Sequence, residues 1–302
     1  MNGNDTSIAK KLNLARLALT GLSVGDAFGE QFFTSDQVLE MRFETRQIPP
    51  PPWFVTDDTI MGTSIVEVLE QHGVIGQEAL AKAFARRYAR DPSRGYGGTA
   101  HRILRAMNED VPWEVAAGEA FDGMGSMGNG GAMRAAPVGA YFAHDGVATV
   151  IEQARRSAEV THAHEEGQAG AVAVALAAMY AVLHGPVAGS HDLLQFVHEH
   201  MPAGETKGGI RRAASVPFER PPAVIADMLG SGNKVISQDT VPFSLWCAAR
   251  HLDSFTSALW STVSGLGDRD TTCAIVGGIV ALAVGPEGIP DEWLASREAL
   301  PG

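Results

Sequence analysis

The amino-acid sequence predicts an all-α fold, a single-domain orthogonal bundle of many helices, and three observations carry that reading. Apolar residues recur at three- and four-residue spacings through most of the chain, which is the signature of helices with one buried face. Alternating patterns of β-branched residues, which would mark strands, are nearly absent. Connections are short, and no Ser- or Glu-rich linker divides the 302 residues, so one domain spanning 1–302 is expected.

The elements follow in order. Residues 7–25 place Ile8, Leu12, Ala15, Leu19 and Leu22 on one stripe. Helices over 59–72 and 77–90 are separated by Gly73-Val74-Ile75-Gly76. Further helical patterns cover 99–108, 113–121, 147–159, 167–183, 191–200, 222–229, 241–252, 254–264 and 271–284. Pro49-Pro50-Pro51-Pro52 is too short for an interdomain spacer and reads as a stiff polyproline lead into Thr56.

Bulk properties bound the function. A net charge of -12 argues against broad or sequence-specific nucleic-acid binding, which needs clustered Lys and Arg. A phosphate-bearing small ligand remains compatible, because metal ions and backbone N–H groups can meet it. Residues 1–11 are polar and then amphipathic, without the apolar core of a signal peptide. Residues 169–183 and 273–284 are strongly apolar but shorter than the ~20 residues a spanning helix requires, so no membrane segment is expected. Cys247 and Cys273 sit in apolar runs and read as buried free thiols in a reducing compartment, with the cytoplasm as the expected location.

Two acidic clusters carry the chemistry. In Thr56-Asp57-Asp58-Thr59, Asp58 is placed to cap the following helix, which leaves its neighbour Asp57 unexplained. Adjacent carboxylates repel unless a cation lies between them. In Gly267-Asp268-Arg269-Asp270-Thr271, an extended segment would turn both aspartates to one side; Asp270 or Thr271 could also cap the next helix. Two acid pairs at helix N-termini suggest an oxygen-rich site suited to Mg²⁺ or Mn²⁺ rather than Zn²⁺.

Between them lies Gly123-Met124-Gly125-Ser126-Met127-Gly128-Asn129-Gly130-Gly131. It contains G-x-G-x-x-G but lacks the strand that a dinucleotide fingerprint requires. The segment can still form a nest of N–H groups for a diphosphate, with Ser126 adding a hydroxyl, or be a plain flexible loop. Thr161-His162-Ala163-His164-Glu165 falls short of a zinc motif, because Gln168 stands where the second histidine belongs. Gly21-Leu22-Ser23-Val24-Gly25 matches the serine nucleophile elbow in letters only, since it lies within an amphipathic helix.

Taken together these segments resemble the ADP-ribosylglycohydrolase family, the group of dinitrogenase reductase-activating glycohydrolase and the ADP-ribosyl-acceptor hydrolases. The matching pieces run in family order: Gly25-Asp26-Ala27-Phe28-Gly29, Thr56 to Thr59, Arg94-Gly95-Tyr96-Gly97, and Gly128 to Arg134 with Pro137. Thr161-His162 and Gly267 to Thr271 with Ala274 to Gly278 complete the set. The resemblance implies an all-α fold with a metal-lined central cleft, two Mg²⁺ (or Mn²⁺) ions, and cleavage of the glycosidic bond between ADP-ribose and a protein or small-molecule acceptor. It implies Thr56, Asp57, Asp58, Asp268, Asp270 and Thr271 as metal ligands. Ser126, Gly128, Asn129 and Gly130 would line the diphosphate and distal ribose, with His162 beside the ribose.

One departure stands out. Many members carry a glutamate four residues after the last glycine of the Gly-Asp-Ala-x-Gly segment, and here that position is Phe33. Either the nearby Glu30 substitutes, or an aspartate such as Asp57, Asp58 or Asp268 acts as base, or activity is altered or lost. A non-catalytic ADP-ribose binder and a metal-dependent phosphoesterase are the competing readings. The sequence leaves the acceptor linkage and the oligomeric state open.

Overall fold

A computed structural model describes residues 3–187 and 189–300; the expectations for residues 1–2, 188 and 301–302 fall outside it. Sixteen α-helices occur among the described residues. They begin with α1 (Gly3–Glu30), α2 (Asp36–Thr45), α3 (Asp57–His72), α4 (Gln77–Arg90), α5 (Gly98–Asn108) and α6 (Trp113–Gly118). Next come α7 (Ala136–Tyr141), α8 (Val147–Glu159), α9 (Glu165–His184), α10 (Asp192–His200) and α11 (Glu205–Ala214). The last are α12 (Pro222–Leu229), α13 (Ser237–Arg250), α14 (Phe255–Val263), α15 (Arg269–Val284) and α16 (Asp291–Ser296). The all-α expectation holds: extended pairing among the described residues is limited to two isolated bridges, Trp53 with Arg297 and Gly128 with Ile236.

The central contact is between α1 and α15, and glycine makes it possible. A β-carbon on Gly21 would overlap the Gly277 carbonyl and the Ala281 side chain; one on Gly25 would overlap the Cys273 carbonyl; one on Gly29 would overlap the Arg269 carbonyl. These positions step by four residues in both helices and in opposite directions, so the two run antiparallel with their backbones touching. The Gly21–Gly25 segment therefore serves close packing, as its place in a helix implied. As a result, the C-terminal end of α1, with Asp26 and Glu30, lies against the N-terminus of α15.

Around this pair, α9 is buried along most of its length by Ala and Val side chains. It is 20 residues long, not the shorter span expected, with a mean hydropathy of 1.4, but 78% of that window is covered by protein, as in a core helix.

An aromatic cluster fixes the end of α1 that carries the acids. The Phe28 ring lies 4.9 Å from Phe32, 5.7 Å from Trp53, 5.3 Å from Trp260 and 4.5 Å from Trp293. Trp53 in turn donates its N–H to the Ser296 carbonyl at 2.7 Å and accepts from Glu298 N at 2.9 Å. Val55 N–H donates to Glu298 Oε1 at 2.8 Å, and Arg94 pairs with the same carboxylate. The segment that delivers Thr56 is thus clamped on both sides. The Pro51–Pro52 peptide is cis, so the proline run is not the uniform polyproline stretch expected.

Replacing Gly25 by Ala is expected to cost about 2–3 kcal/mol, the usual penalty for overpacking a backbone contact. Urea unfolding measures it. A change below about 0.5 kcal/mol, the level of an ordinary surface substitution, would contradict the close-contact account.

Candidate active site

The site forms where three helix ends meet. Helix α3 begins at Asp57, with Thr56 as N-cap, so Asp58 is not the cap that the sequence suggested. Both aspartates instead lie in the first turn, where the positive end of the helix dipole favours negative charge. In α15 the capping position is Asp268, and Asp270 occupies the first turn, which replaces the extended segment that was expected. Neither capping side chain takes a backbone N–H of its own helix; the Thr56 hydroxyl turns to carboxylates instead.

Asp26 of α1 ties these ends together, a role that sequence reasoning missed. It is fully buried and accepts from Thr56 N at 2.9 Å, Thr56 Oγ1 at 2.8 Å, Thr59 N at 3.2 Å and Thr59 Oγ1. Thr56 Oγ1 also lies 3.0 Å from Asp58 Oδ2. The other Asp58 oxygen, Oδ1, is buried with no hydrogen-bond partner.

A cavity of about 660 Å³ opens beside this cluster. Its wall includes Asp57, Ser126, Gly128, Asn129, Gly130, His162, Asp268, Asp270 and Thr271. Of the residues singled out in the sequence, Thr56, Asp58 and Glu30 do not line it: Thr56 and Asp58 are buried behind the wall, and Glu30 is half-buried at the end of α1.

Burial raises the carboxyl pKa of Asp26 to about 6. Although Asp57 opens onto the cavity, its enclosed surroundings, then the Asp26 and Asp268 charges, push it to about 8. Burial and neighbouring aspartates also raise Asp58 and Asp270 well above the usual carboxylate range. Glu30 moves the same way, through burial and then the charges of Asp26 and Asp268. Such crowding of like charges is costly unless protons or cations relieve it.

Among the described residues no group of three His, Cys, Asp or Glu side chains closes around a single ion. That is compatible with Mg²⁺, which usually takes one or two carboxylates and completes its octahedron with water and ligand oxygens. The orphaned Asp58 Oδ1 and the all-oxygen donor set fit such an ion and do not fit Zn²⁺.

Another part of the wall is built on Arg134. This fully buried guanidinium lies 4.5 Å from the Phe84 ring centroid and donates to Gly130 O at 2.8 Å, Ser157 O at 3.3 Å and Thr161 Oγ1 at 2.7 Å. Burial lowers its pKa to about 9, which leaves it charged at neutral pH. Thr161 Oγ1, already accepting from Arg134, has its proton free for His162 Nδ1 at 2.7 Å. Burial and then the Arg134 charge push His162 down to about 3, so the imidazole is neutral, and a Thr161 hydroxyl that donates to Nδ1 leaves the ring proton on Nε2. A β-carbon on Gly128 would stand 3.1 Å from that Nε2, and one on Gly130 3.2 Å from Cε1, so these glycines make room for the ring.

The glycine segment is less open to a ligand than a free nest would be. Gly128 N–H donates to Ser126 Oγ at 3.1 Å, and Asn129 N–H donates to Val235 O at 3.3 Å. Buried Asn129 directs its amide to Asp268 Oδ2 at 2.6 Å and Thr240 Oγ1 at 3.0 Å, so it positions a carboxylate as well as lining the cavity.

These features can be set beside known proteins. The ADP-ribosylglycohydrolase family model matches residues 7–300. The chain belongs to the ADP-ribosylglycohydrolase family. It is 28% identical to ADP-ribosylhydrolase ARH3 of Mus musculus, over 97% of this chain and 89% of that protein. It is 26% identical to the ADP-ribosyl-[dinitrogen reductase] glycohydrolase of Rhodospirillum rubrum, over 93% of this chain and 89% of that protein. A solved ADP-ribosylglycohydrolase-related protein complex superposes with a TM-score of 0.66 at 25% identity, covering 96% and 94% of the two chains. The chain is accordingly a glycosidic-bond hydrolase of the ADP-ribosylglycohydrolase type.

In this member of the family Phe33 is half-exposed, with the Arg269 guanidinium 4.8 Å from its ring centroid. Arg269 also donates to the Phe32 carbonyl, which fastens the end of α1 to the start of α15. Asp26, Arg134 and Thr240 were missed as site residues. Asp26 and Arg134 both lie in segments that carry the resemblance; Asp26 is also an aspartate in an otherwise apolar helical run, and Arg134 follows the glycine segment.

The raised carboxyl pKa values set a pH dependence. Between the unfolded value of 3.8 and the folded value of about 8, Asp57 holds more proton in the folded state, so rising pH removes stability. His162 acts oppositely, but only below its unfolded value of 6.5. With a chelator present, the Tm is therefore expected to fall from pH 6.5 to 8, and Asp57→Asn should flatten that slope. A Tm that rises over this window would contradict the account.

Proposed function

We propose that the chain releases ADP-ribose from a protein or small-molecule acceptor by hydrolysing the N- or O-glycosidic bond, with two Mg²⁺ ions (or Mn²⁺) held between α3 and α15. The observation that supports this most is the meeting of Asp57, Asp268 and Asp270 in the wall of one cavity, backed by the unpartnered Asp58 oxygen. A volume of about 660 Å³ lies in the usual range for small-molecule sites.

Thr56, Asp57, Asp58, Asp268, Asp270 and Thr271 would hold the ions, which would orient ribose hydroxyls and lower the pKa of a bound water. The remaining work falls to the chain itself. Asn129 holds Asp268 in one orientation through the 2.6 Å amide contact, and in that orientation the carboxylate would take a proton from water. As the acceptor departs, the anomeric carbon gains oxocarbenium character, and nearby carboxylates stabilise that charge. His162, neutral and protonated on Nε2, offers a donor to a ribose hydroxyl but no proton to a leaving group. Phe121 and Met124 line the mouth of the cavity and are largely exposed, giving apolar surfaces for a flat base. Glu30, near Asp26 and Asp268 but outside the cavity wall, is the acid that takes the place of the missing glutamate.

The test is release of free ADP-ribose from arginine-, serine- and O-acetyl-linked substrates, in Mg²⁺ and then in EDTA. Release from at least one linkage, abolished by EDTA, is expected. Asp57→Asn and Asp268→Asn should each lower the rate by about 10²–10⁴-fold, the range for lost acid–base groups. Binding of ADP-ribose without turnover would favour a non-catalytic binder. Phosphate release from ADP-ribose with the glycosidic bond intact would favour a phosphoesterase. Glu30→Gln should slow turnover by about tenfold or more, and an unchanged rate would remove Glu30 from the mechanism.

A further inference from the structure

An ADP-ribosyl ligand brings a diphosphate into a chain of net charge -12 and a cavity walled by three aspartates. Beyond the ions proposed for the carboxylate wall, the groups of the chain itself that could balance it are few. Two basic side chains line the cavity, Arg134 and Lys234. Arg134 is almost fully buried, with both amino groups engaged by Gly130, Ser157 and Thr161, and its unpartnered Nε is sealed from solvent. Two N–H groups of the glycine segment, those of Gly128 and Asn129, are also spent within the protein. His162 is neutral. Lys234 differs from all of these, because among the described residues its ammonium has no hydrogen bond or ion pair.

The backbone holds Lys234 in place although its side chain is free. Its N–H donates to Asp239 Oδ2 at 2.9 Å. The next residue, Val235, has φ +54, a left-handed conformation that is costly for a β-branched side chain and persists only where surrounding contacts impose it. Those contacts are present: Val235 N–H donates to Gly232 O at 2.7 Å, Val235 O accepts from Asn129 N, and Ser237 N–H donates to Met127 O at 3.0 Å. The segment that carries Lys234 is therefore stitched to the glycine segment on the cavity wall.

We propose that Lys234 binds the diphosphate of the ligand and supplies the charge selectivity of the cavity. This rests on the ADP-ribosyl reading above. The ammonium is a mobile point charge with three donors, suited to phosphate oxygens at the cavity mouth. It acts on affinity, since it is remote in role from the carboxylates that face the scissile bond.

Calorimetric titration of ADP-ribose and of adenosine tests the proposal, using the unaltered chain and the variants Lys234→Gln, Lys234→Glu and Lys234→Arg. Lys234→Gln should weaken ADP-ribose binding about tenfold, the lower end for a charge-assisted contact because the group is exposed. Lys234→Glu should weaken it further, and Lys234→Arg should retain most of the affinity. Adenosine binding should be the same in all four proteins. Affinity for ADP-ribose should fall with added salt more steeply in the unaltered chain than in Lys234→Gln. Equal ADP-ribose affinity in the unaltered chain and Lys234→Gln would overturn the role of Lys234 while leaving the hydrolase reading intact. Equal losses for ADP-ribose and adenosine would also overturn it, by reducing Lys234 to a structural residue. Failure of the unaltered chain to bind ADP-ribose would overturn both readings.

Discussion

The approach of α1 to α15 is the constraint on which the rest of the structure depends. Gly21, Gly25 and Gly29 remove the side chains that would hold the helices apart, and the antiparallel register places Asp26 and Glu30 beside Asp268 and Asp270. Because the contact is backbone to backbone, it leaves little freedom to slide. Small shifts would alter the spacing of every carboxylate. The Phe28 aromatic cluster adds a second fixed point at the same end, and it also clamps the segment that brings in Thr56 and Asp57.

That framework supports an arrangement that is unfavourable in isolation. Burial raises the pKa values of Asp26, Asp57, Asp58 and Asp270, and the charges of neighbouring aspartates add to the rise at Asp57, Asp58 and Asp270. Part of the compensation is local: four hydrogen bonds from Thr56 and Thr59 serve Asp26, and two helix N-termini face the cluster. Asp58 Oδ1 remains uncompensated. Elsewhere in the wall the order is reversed: one buried cation, Arg134, aligns Thr161, and burial together with the Arg134 charge keeps His162 neutral.

Much of this was legible in the sequence, and the exceptions have physical causes. Helices with a regular apolar stripe, such as α8, or with clear glycine stops, such as α3, were placed to within two residues. Helices α2, α11 and α16 carry too few apolar residues to show a period, and the short α7 is buried on all sides, which hides one. Helix α13 begins at Ser237 and carries Pro242 in its interior, whereas proline near a helix start normally marks the first turn, so the start was read four residues late. The site residues in loops and caps were visible as acid pairs and a glycine run. The role of Asp26 was not, because a buried carboxylate in an apolar helix acquires meaning only from Thr56 and Thr59, about thirty residues away. Lys234 was invisible for the same reason: its significance lies in which other cations are already occupied.

We propose that this carboxylate wall holds a pair of hard divalent cations. Manganese titration followed by calorimetry and electron paramagnetic resonance tests it most directly, since neighbouring Mn²⁺ ions give a spin-coupled signal. Two ions per chain with a coupled spectrum, lost in Asp58→Asn, are expected. Binding of no ion, or of a single uncoupled ion unaffected by that substitution, would contradict it.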